Sequence, residues 1–247
     1  ELRSRASGVL AGSACVTETL AQVDGRLIVT WRHADGDRVE PGTVVAEVRG
    51  PLAPMLTAER TALNLLCHLS GVATLTRRFV DAAGPDLRVW DTRKTTPGLR
   101  ALEKAAVRAG GGANHRGNLS EWVMLKDNHL ELVGMAEAVA RARELFPART
   151  VHVECDTHDK VVEALGVGAD ALLLDNMTPD EARACVVTIE ETTRDGRRPL
   201  VELSGGITLD SLSAYASVGA DLVSSGALTN SAPVLDIGLD VVATHAG

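Results

Sequence analysis

The sequence of 247 residues has few aromatic side chains, few cysteines and no long apolar run. Its aromatic residues are three Trp, one Tyr and two Phe, and its net charge is -8. A general nucleic-acid surface is not expected, because such surfaces need a basic face and usually stacking rings. A membrane-spanning helix is not expected either, because no apolar run approaches the ~18 residues that one requires.

The four cysteines, Cys15, Cys67, Cys155 and Cys185, are far apart and form no CxxC pair. This spacing favours neither a cysteine zinc site nor a disulfide scaffold, so a reducing, cytoplasmic location is expected. The sequence begins without Met and without a signal-peptide pattern, so we expect the first residues of the protein to lie outside it. Any positive cluster in this acidic chain should be local and directed at a small anion.

From Leu87 onward, short apolar runs alternate with helix-like segments. The candidate strands lie at 87–90, 122–125, 151–155, 171–174, 200–203 and 221–225. Thr96 with Pro97 is predicted to start a helix that Gly110 ends, and Thr178 with Pro179 to start another. The even spacing of these units predicts a parallel sheet closed into a barrel, with an open doubly wound sheet as the alternative. No GxGxxG follows the first strand, which counts against a Rossmann domain.

The first 60 or so residues have a different pattern. Alternating valines and the turn signals DGD and PG predict a small β-rich domain. Residues 56–82 predict one long apolar helix or two. We therefore predict an N-terminal domain over residues 1–68, with the tail 231–247 packing on it, and a barrel domain over residues 69–230.

Charged or phosphate-binding residues follow each candidate strand. In a parallel barrel these strand ends converge on one mouth. The residues are Arg93 and Lys94, Lys126 and Asp127, Glu154 and Asp156, Asp175 and Asn176, Glu202 and Ser204, and Ser225 with Gly226. A solvated rim would also be polar. The order, with bases on the early strands and acids on the middle ones, favours a site for an anionic ligand.

Glycine-rich segments define the substrate class further. SGGI (204–207) and SSGAL (224–228) follow the last two strands, where backbone N–H groups commonly bind phosphate, although each could be a simple turn. GGGANHRGN places His115 and Arg116 after three glycines, and Arg binds carboxylate or phosphate bidentately. Glu154 and Asp175 offer hard oxygen ligands that suit Mg²⁺, or they pair with the neighbouring bases.

Taken together, these motifs resemble the quinolinate phosphoribosyltransferase family. They are LTAERTALN, LSGVATLTRR, DTRKTTPGLR, GGGANHR, LKDNH, LLLDNM, ELSGGI and GALTNS, and with their flanks they run in family order along nearly the whole chain. The resemblance implies an α/β fold, an incomplete (β/α) barrel with a smaller open-sandwich, α+β N-terminal domain. It implies condensation of quinolinate with 5-phosphoribosyl-1-pyrophosphate, with loss of CO₂, to give nicotinate mononucleotide and pyrophosphate in NAD biosynthesis. It also implies Mg²⁺ as cofactor and a homodimer with shared active sites.

The resemblance assigns roles residue by residue. The positions that match the quinolinate site are Arg60 (supplied across the dimer), Arg93, His115, Arg116 and Lys126. Those that match the phosphoribosyl pyrophosphate site are Lys94, Glu154, Asp175, Ser204, Gly205, Gly206, Ser225, Gly226 and Asn230. Lys94, Lys126, Glu154 and Asp175 match the catalytic positions, and Glu154 and Asp175 would hold Mg²⁺ directly or through water.

Four features depart from the family pattern. Ala105 stands where Tyr is usual, Asn230 stands where His is usual, Gly117 and Asn118 follow NHR, and the early GDxTT segment lies before residue 1 or is absent. Two alternatives therefore stay open: a paralogue that acts on another pyridine or aromatic acid, and a non-catalytic phosphosugar-binding protein. Retention of Arg60, Arg93 and Arg116 favours a dicarboxylate, and the complete ring of bases and acids favours catalysis.

Overall fold

The computed structural model describes residues 1–193 and 196–242. Its strands are β1 (Leu2–Ser4), β2 (Gly8–Val9), β3 (Ile28–Trp31), β4 (Arg38–Val39), β5 (Val44–Arg49), β6 (Arg88–Trp90), β7 (Val123–Leu125), β8 (Val151–Cys155), β9 (Ala171–Asp175), β10 (Leu200–Ser204), β11 (Leu222–Ser224) and β12 (Ile237–Leu239). Its helices are α1 (Ser13–Val23), α2 (Leu52–Ala83), α3 (Arg100–Ala109), α4 (Asp127–Val133), α5 (Met135–Leu145), α6 (His158–Gly166), α7 (Pro179–Thr192), α8 (Leu209–Tyr215) and α9 (Ala227–Asn230). These elements divide into two compact units.

The first unit, called here the N-terminal unit, contains Glu1–Arg78, Lys94–Gly112 and the segment from Ala227 onward. Its antiparallel sheet has the order β12-β1-β5-β3, and β2 pairs separately with β4. Apolar side chains of α1, α2 and the sheet bury one another in a single core. The unit is therefore α+β, and the strand nearest the C-terminus forms one edge of its sheet.

The sequence allowed either one long helix or two in this region, and the structure has one, α2, of 32 residues. Gly71 lies in its middle, where a Cβ atom would stand 2.1 Å from the carbonyl oxygen of Pro233. Glycine is needed there because the C-terminal segment crosses the helix at backbone distance. Neither α2 nor any other helix within the described ranges has an apolar stretch long enough to cross a membrane.

The second unit, called here the barrel unit, contains Phe79–Arg93 and Ala113–Gly226. Its six parallel strands have the order β6-β11-β10-β9-β8-β7 and coincide, within a residue or two, with the six predicted strands. From β7 to β11 the spatial order of the strands is their order along the chain, and β6, the first strand, lies beside β11, the last, as in a barrel. In a doubly wound sheet the strand order reverses at one point instead. Among the described residues, β6 and β7 are not paired with each other, so the barrel is incomplete, as predicted.

Strand register decides which side chains share a face of this sheet. His152 pairs with Ala171, and Glu154 and Glu202 both pair with Leu173 from opposite sides. Side chains on one strand alternate between faces, so His152 and Glu154 lie on the same face as Glu202. These three side chains form a polar layer on one face of the sheet, and the residues between them on each strand, such as Val153 and Leu203, make the other face apolar.

One predicted helix start is wrong. Helix α3 begins at Arg100 with Leu99 as its N-cap, not at Thr96 and Pro97. The backbone N–H of Thr96 instead donates to the buried Glu103 carboxylate over 3.1 Å, which holds residues 96–99 in a turn before the helix. The predicted end at Gly110 is confirmed.

The predicted start of α7 is confirmed and gives a stability prediction. Thr178 and Glu181 form a reciprocal capping box, with Glu181 accepting the Thr178 N–H at 2.8 Å. Replacing Thr178 by Ala should lower the free energy of unfolding by about 1 kcal/mol in urea titrations. Replacing Thr192, exposed at the other end of α7, is the matched control, and equal losses in the two variants would contradict the capping role.

Candidate active site

The carboxyl ends of the parallel strands carry most of the predicted site residues. Arg93 follows β6, Lys126 follows β7, Glu154 lies in β8, Asp175 ends β9 and Ser204 ends β10. Because the strands are parallel, these ends meet at one mouth of the barrel. The barrel unit also contributes His115, Arg116, Gly205, Gly206, Ser225 and Gly226.

Two arginines lie close together in this mouth. Arg116 is buried, with 8% of its surface exposed, and Arg93 is half-buried. Burial lowers the pKa of the Arg116 guanidinium, and the positive charge of Arg93 lowers it further, while Glu202 and Glu121 act in the opposite direction. Two guanidinium groups held together against their mutual repulsion form a site for a ligand with more than one negative charge.

Acidic residues balance part of this positive charge. Lys126 forms an ion pair with Glu154, whose side chain is mostly buried. Asp175, on the neighbouring strand, accepts a hydrogen bond of 2.6 Å from the side-chain amide of Asn176. Lys126 therefore pairs with one of these two carboxylates, Glu154.

The loop after β10 depends on glycine. Gly205 has a φ of +86°, and a Cβ atom there would stand 2.3 Å from Oδ1 of Asn176. Any larger residue would push the loop away from the end of β9. The loop after β11 starts with the buried Ser225, whose N–H donates to the Trp90 carbonyl over 3.2 Å. Both predicted phosphate loops therefore lie at the mouth, and the Ser225 N–H already has a partner in the protein.

Three predicted site residues, Arg60, Lys94 and Asn230, belong to the N-terminal unit. Arg60 is exposed on α2 and pairs with Glu59 over 2.7 Å. Lys94 and Asn230 are exposed, and the Thr229 hydroxyl beside Asn230 donates to the Lys94 carbonyl over 2.7 Å. This bond brings the two predicted phosphoribosyl pyrophosphate residues onto neighbouring segments. Ala105, one of the departures from the family pattern, is exposed on α3.

The loop with His115 and Arg116 is held in place by Asp91. This aspartate is fully buried directly after β6. Its two carboxylate oxygens accept the His115 backbone N–H at 2.8 Å and the Asn114 side-chain amide at 2.6 Å. Asp91 therefore positions the segment that presents Arg116, a role that the sequence analysis did not assign.

Beneath the mouth lies a buried network that the sequence analysis also missed. Nε2 of His115 is 3.1 Å and Nε2 of His152 is 3.4 Å from the same oxygen, Oε2, of Glu202. The Ser224 hydroxyl donates to the other oxygen, Oε1. His152 and Glu202 are only 3% and 1% exposed. The spacing in the sequence could have indicated this network. His152 lies two residues before Glu154, and Glu202 two residues before Ser204, so each shares a strand face with a predicted site residue.

Burial and charge set the protonation of this network. Desolvation lowers the pKa of His152 to about 4, although the Glu202 charge opposes the shift. For Glu202, desolvation raises the pKa, but the hydrogen bond from His115 and the attraction of both imidazoles outweigh it and the net shift is downward. At neutral pH, Glu202 is therefore ionised and His152 is neutral.

Two of the three tryptophans surround His115. The His115 ring lies 4.8 Å from Trp122 and 5.9 Å from Trp90 in edge-to-face contacts, and the two indoles are 6.4 Å apart. Both indoles are half-buried and pack as apolar neighbours around the His115 imidazole. The His115 ring is therefore held in an aromatic cluster.

The fold and the charged residues at the barrel mouth indicate a class: a barrel enzyme that acts on anionic, phosphate-bearing substrates. The comparison with known proteins specifies the family. The model for the quinolinate phosphoribosyl transferase N-terminal domain matches residues 1–70, and that for the C-terminal domain matches residues 72–240. The chain belongs to the quinolinate phosphoribosyltransferase family.

Relatives of the chain match it over nearly its full length. A probable carboxylating nicotinate-nucleotide pyrophosphorylase of Bacillus subtilis is 40% identical, covering 99% of this chain and 84% of that protein. The carboxylating nicotinate-nucleotide pyrophosphorylase of Mycobacterium leprae is 41% identical over 96% of this chain and 84% of that protein. Among solved structures, NadC from Streptococcus pyogenes has a TM-score of 0.91 at 40% identity, covering 97% of this chain and 84% of that one.

Proposed function

We propose that the chain is a carboxylating nicotinate-nucleotide pyrophosphorylase of NAD biosynthesis. It condenses quinolinate with 5-phosphoribosyl-1-pyrophosphate and releases nicotinate mononucleotide, pyrophosphate and CO₂. The observation that carries this proposal is the pair Arg93 and Arg116, with Glu202 and Glu121 acting on Arg116, in an acidic protein. A pyridine dicarboxylate has two negative charges, which match the positive charges of the two guanidinium groups.

Arg93, His115, Arg116 and Lys126 bind the carboxylates of quinolinate in this proposal. The rings of Trp90 and Trp122 pack edge-to-face against His115 and hold its imidazole in place for this contact. Arg60 is exposed on α2 and would complete the site of a second subunit in a homodimer. Charge-assisted, bidentate contacts hold the ring nitrogen toward the sugar.

Lys94, Glu154 and Asp175 surround the pyrophosphate and ribose, and the 5′-phosphate lies against Ser204, Gly205, Gly206, Ser225, Gly226 and Asn230. The glycine conformation at Gly205 supports a close approach of backbone to phosphate. Asn230 can donate a hydrogen bond but carries no charge. We therefore expect it to contribute less to phosphate affinity than a charged His would.

The donor set at Glu154 and Asp175 fits Mg²⁺, since both are hard oxygen ligands on neighbouring strands and Lys126 balances only one of them. When bound there through one or both carboxylates, Mg²⁺ would neutralise charge on the pyrophosphate leaving group. Lys126 adds positive charge beside Glu154. The two carboxylates stabilise the positive charge that develops on the ribose ring as its C1′ bond breaks.

The bond changes need no covalent enzyme intermediate. The ring nitrogen of quinolinate attacks C1′ as pyrophosphate leaves. When the adjacent carboxylate then leaves as CO₂, the bonding electron pair stays on the ring carbon, where the positive charge of the quaternised nitrogen stabilises it, and that carbon takes up a proton. The protein's part is to align the two substrates and exclude competing water.

A coupled assay of CO₂ and pyrophosphate release tests this proposal. With quinolinate, phosphoribosyl pyrophosphate and Mg²⁺, we expect equal amounts of both products, whereas phthalate, which lacks the ring nitrogen, should give neither. Pyrophosphate release with nicotinate or another aromatic acid alone would indicate a paralogue with a different substrate. Binding of phosphoribosyl pyrophosphate without turnover of any acid would indicate a non-catalytic phosphosugar-binding protein and would contradict the proposal that the chain is an enzyme.

The proposed location is the cytoplasm. Cys15, Cys67, Cys155 and Cys185 are all free thiols in the structure. Burial raises the pKa of the Cys155 thiol to about 12, so this side chain is an apolar group of the sheet rather than a nucleophile. Free thiols of this kind are compatible with a reducing compartment.

A further inference from the structure

We infer that His115, His152 and Glu202 form a binding site for one first-row divalent cation, best suited to Zn²⁺, inside the barrel and separate from the Glu154 and Asp175 pair. The three side chains come from the loop after α3, from β8 and from β10. All three are buried, and one ligand atom from each lies within 4.8 Å of the others. His115 also belongs to the proposed quinolinate site and is shared, whereas no role in the reaction proposed above requires His152 or Glu202.

Strand register creates the space for this site. β9 lies between β8 and β10, and the residue that it places beside His152 is Ala171. A methyl group at this position leaves the imidazole of His152 free to reach across β9 toward Glu202. A Leu or Val in place of Ala171 would fill the gap and separate the two groups.

The distances match metal ligation. Bonds of about 2.0–2.2 Å at tetrahedral angles place ligand atoms about 3.4 Å apart. The two imidazole Nε2 atoms of His115 and His152 lie 3.1 and 3.4 Å from Oε2 of Glu202. Both rings therefore place a nitrogen near one carboxylate oxygen, and the two His–Glu separations are close to those of ligands that share a cation.

Hydrogen bonds among the described residues leave one of the cluster's buried ring nitrogens, Nε2 of His152, without a partner. The ring has a hydrogen bond with the Leu172 backbone, and because Nε2 has no partner among these residues we assign this bond to Nδ1. A neutral imidazole that donates Nδ1–H to a carbonyl presents a lone pair at Nε2, and here this lone pair faces a carboxylate oxygen. A cation between them satisfies both acceptors.

The surrounding contacts fix the ligands as metal sites require. Ser224 donates to Oε1 of Glu202, which leaves Oε2 for the cation. The Leu172 backbone sets the tautomer of His152, and Asp91 holds the His115 backbone. Partners of this kind orient metal ligands and raise affinity. Two imidazoles and one carboxylate select Zn²⁺ or a similar ion over Mg²⁺, which prefers oxygen ligands, and three ligands leave one position open.

The test is Zn²⁺ titration by calorimetry of the full chain, after treatment with a chelator and dialysis. We expect one equivalent of Zn²⁺ to bind, Co²⁺ to give the visible bands of a tetrahedral site, and Mg²⁺ not to compete. His152→Gln should weaken Zn²⁺ binding by roughly 100-fold or more, while His158→Gln, an exposed histidine on α6, should not. Circular dichroism verifies that each variant is folded.

Further variants separate this site from others. Glu154→Gln should leave Zn²⁺ binding intact, since the proposed Mg²⁺ ligands take no part in it. Absence of Zn²⁺ binding to the folded wild-type chain would mean a hydrogen-bonded cluster only and would overturn the inference. Unchanged affinity in His152→Gln, or Co²⁺ bands typical of thiolate ligands, would place the ion elsewhere with the same consequence. These readouts need no turnover, so they are independent of the outcome of the activity assay.

Discussion

Replacing Arg93 by Ala should lower kcat/KM for quinolinate by roughly 1,000-fold, measured as pyrophosphate release at fixed phosphoribosyl pyrophosphate. Arg93 is half-buried next to Arg116, so its loss removes a charge-assisted contact in a partly desolvated mouth. Arg93→Lys keeps the charge but loses the planar fork, and we expect an intermediate loss of roughly 10- to 100-fold.

The matched control is Arg88→Ala. Arg88 is exposed at the opposite end of β6, five residues before Arg93, and therefore lies away from the mouth. Its removal changes the net charge equally but should alter kcat/KM by less than about twofold. Equal losses in the Arg88 and Arg93 variants would mean that overall charge, rather than a specific contact, governs binding of the dianion.

The second large effect concerns stability in acid. His152 has a pKa of about 4 in the folded chain, against about 6.5 when unfolded, so the unfolded state binds more protons between these values. Stability is therefore full above about pH 6.5 and is lost as the pH falls toward 4. Between about pH 7 and about pH 4.5, the free energy of unfolding should drop by about 2 kcal/mol from this residue alone.

Urea unfolding at several pH values, with a chelator present, measures this loss. His152→Gln should abolish about 2 kcal/mol of the pH dependence, whereas His158→Gln, which removes an exposed imidazole, should retain it. Glu202 adds a loss of the same sign at lower pH, because its folded pKa lies below its ordinary value. Identical pH profiles for the wild type and His152→Gln would show that this imidazole is not held neutral by burial.

Most of the barrel could be predicted from the sequence for a simple reason. Strands of a parallel sheet are covered on both sides, so they appear as short continuous apolar runs such as ALLL at 171–174. The capping residues of α7 act over three residues, and Thr178 was therefore visible as well. The start of α3 was not, because Glu103, seven residues ahead and fully buried, takes the N–H of Thr96.

The sequence alone thus determined where the strands lie along the chain, which residue types stand at their ends and which family motifs are present, since each depends on neighbours along the chain. Which polar residues meet inside the barrel was decided only by the tertiary structure. His152 and Glu202 are 50 positions apart and separated by β9. Their meeting depends on strand register and on the small side chain of Ala171, and no local pattern encodes either.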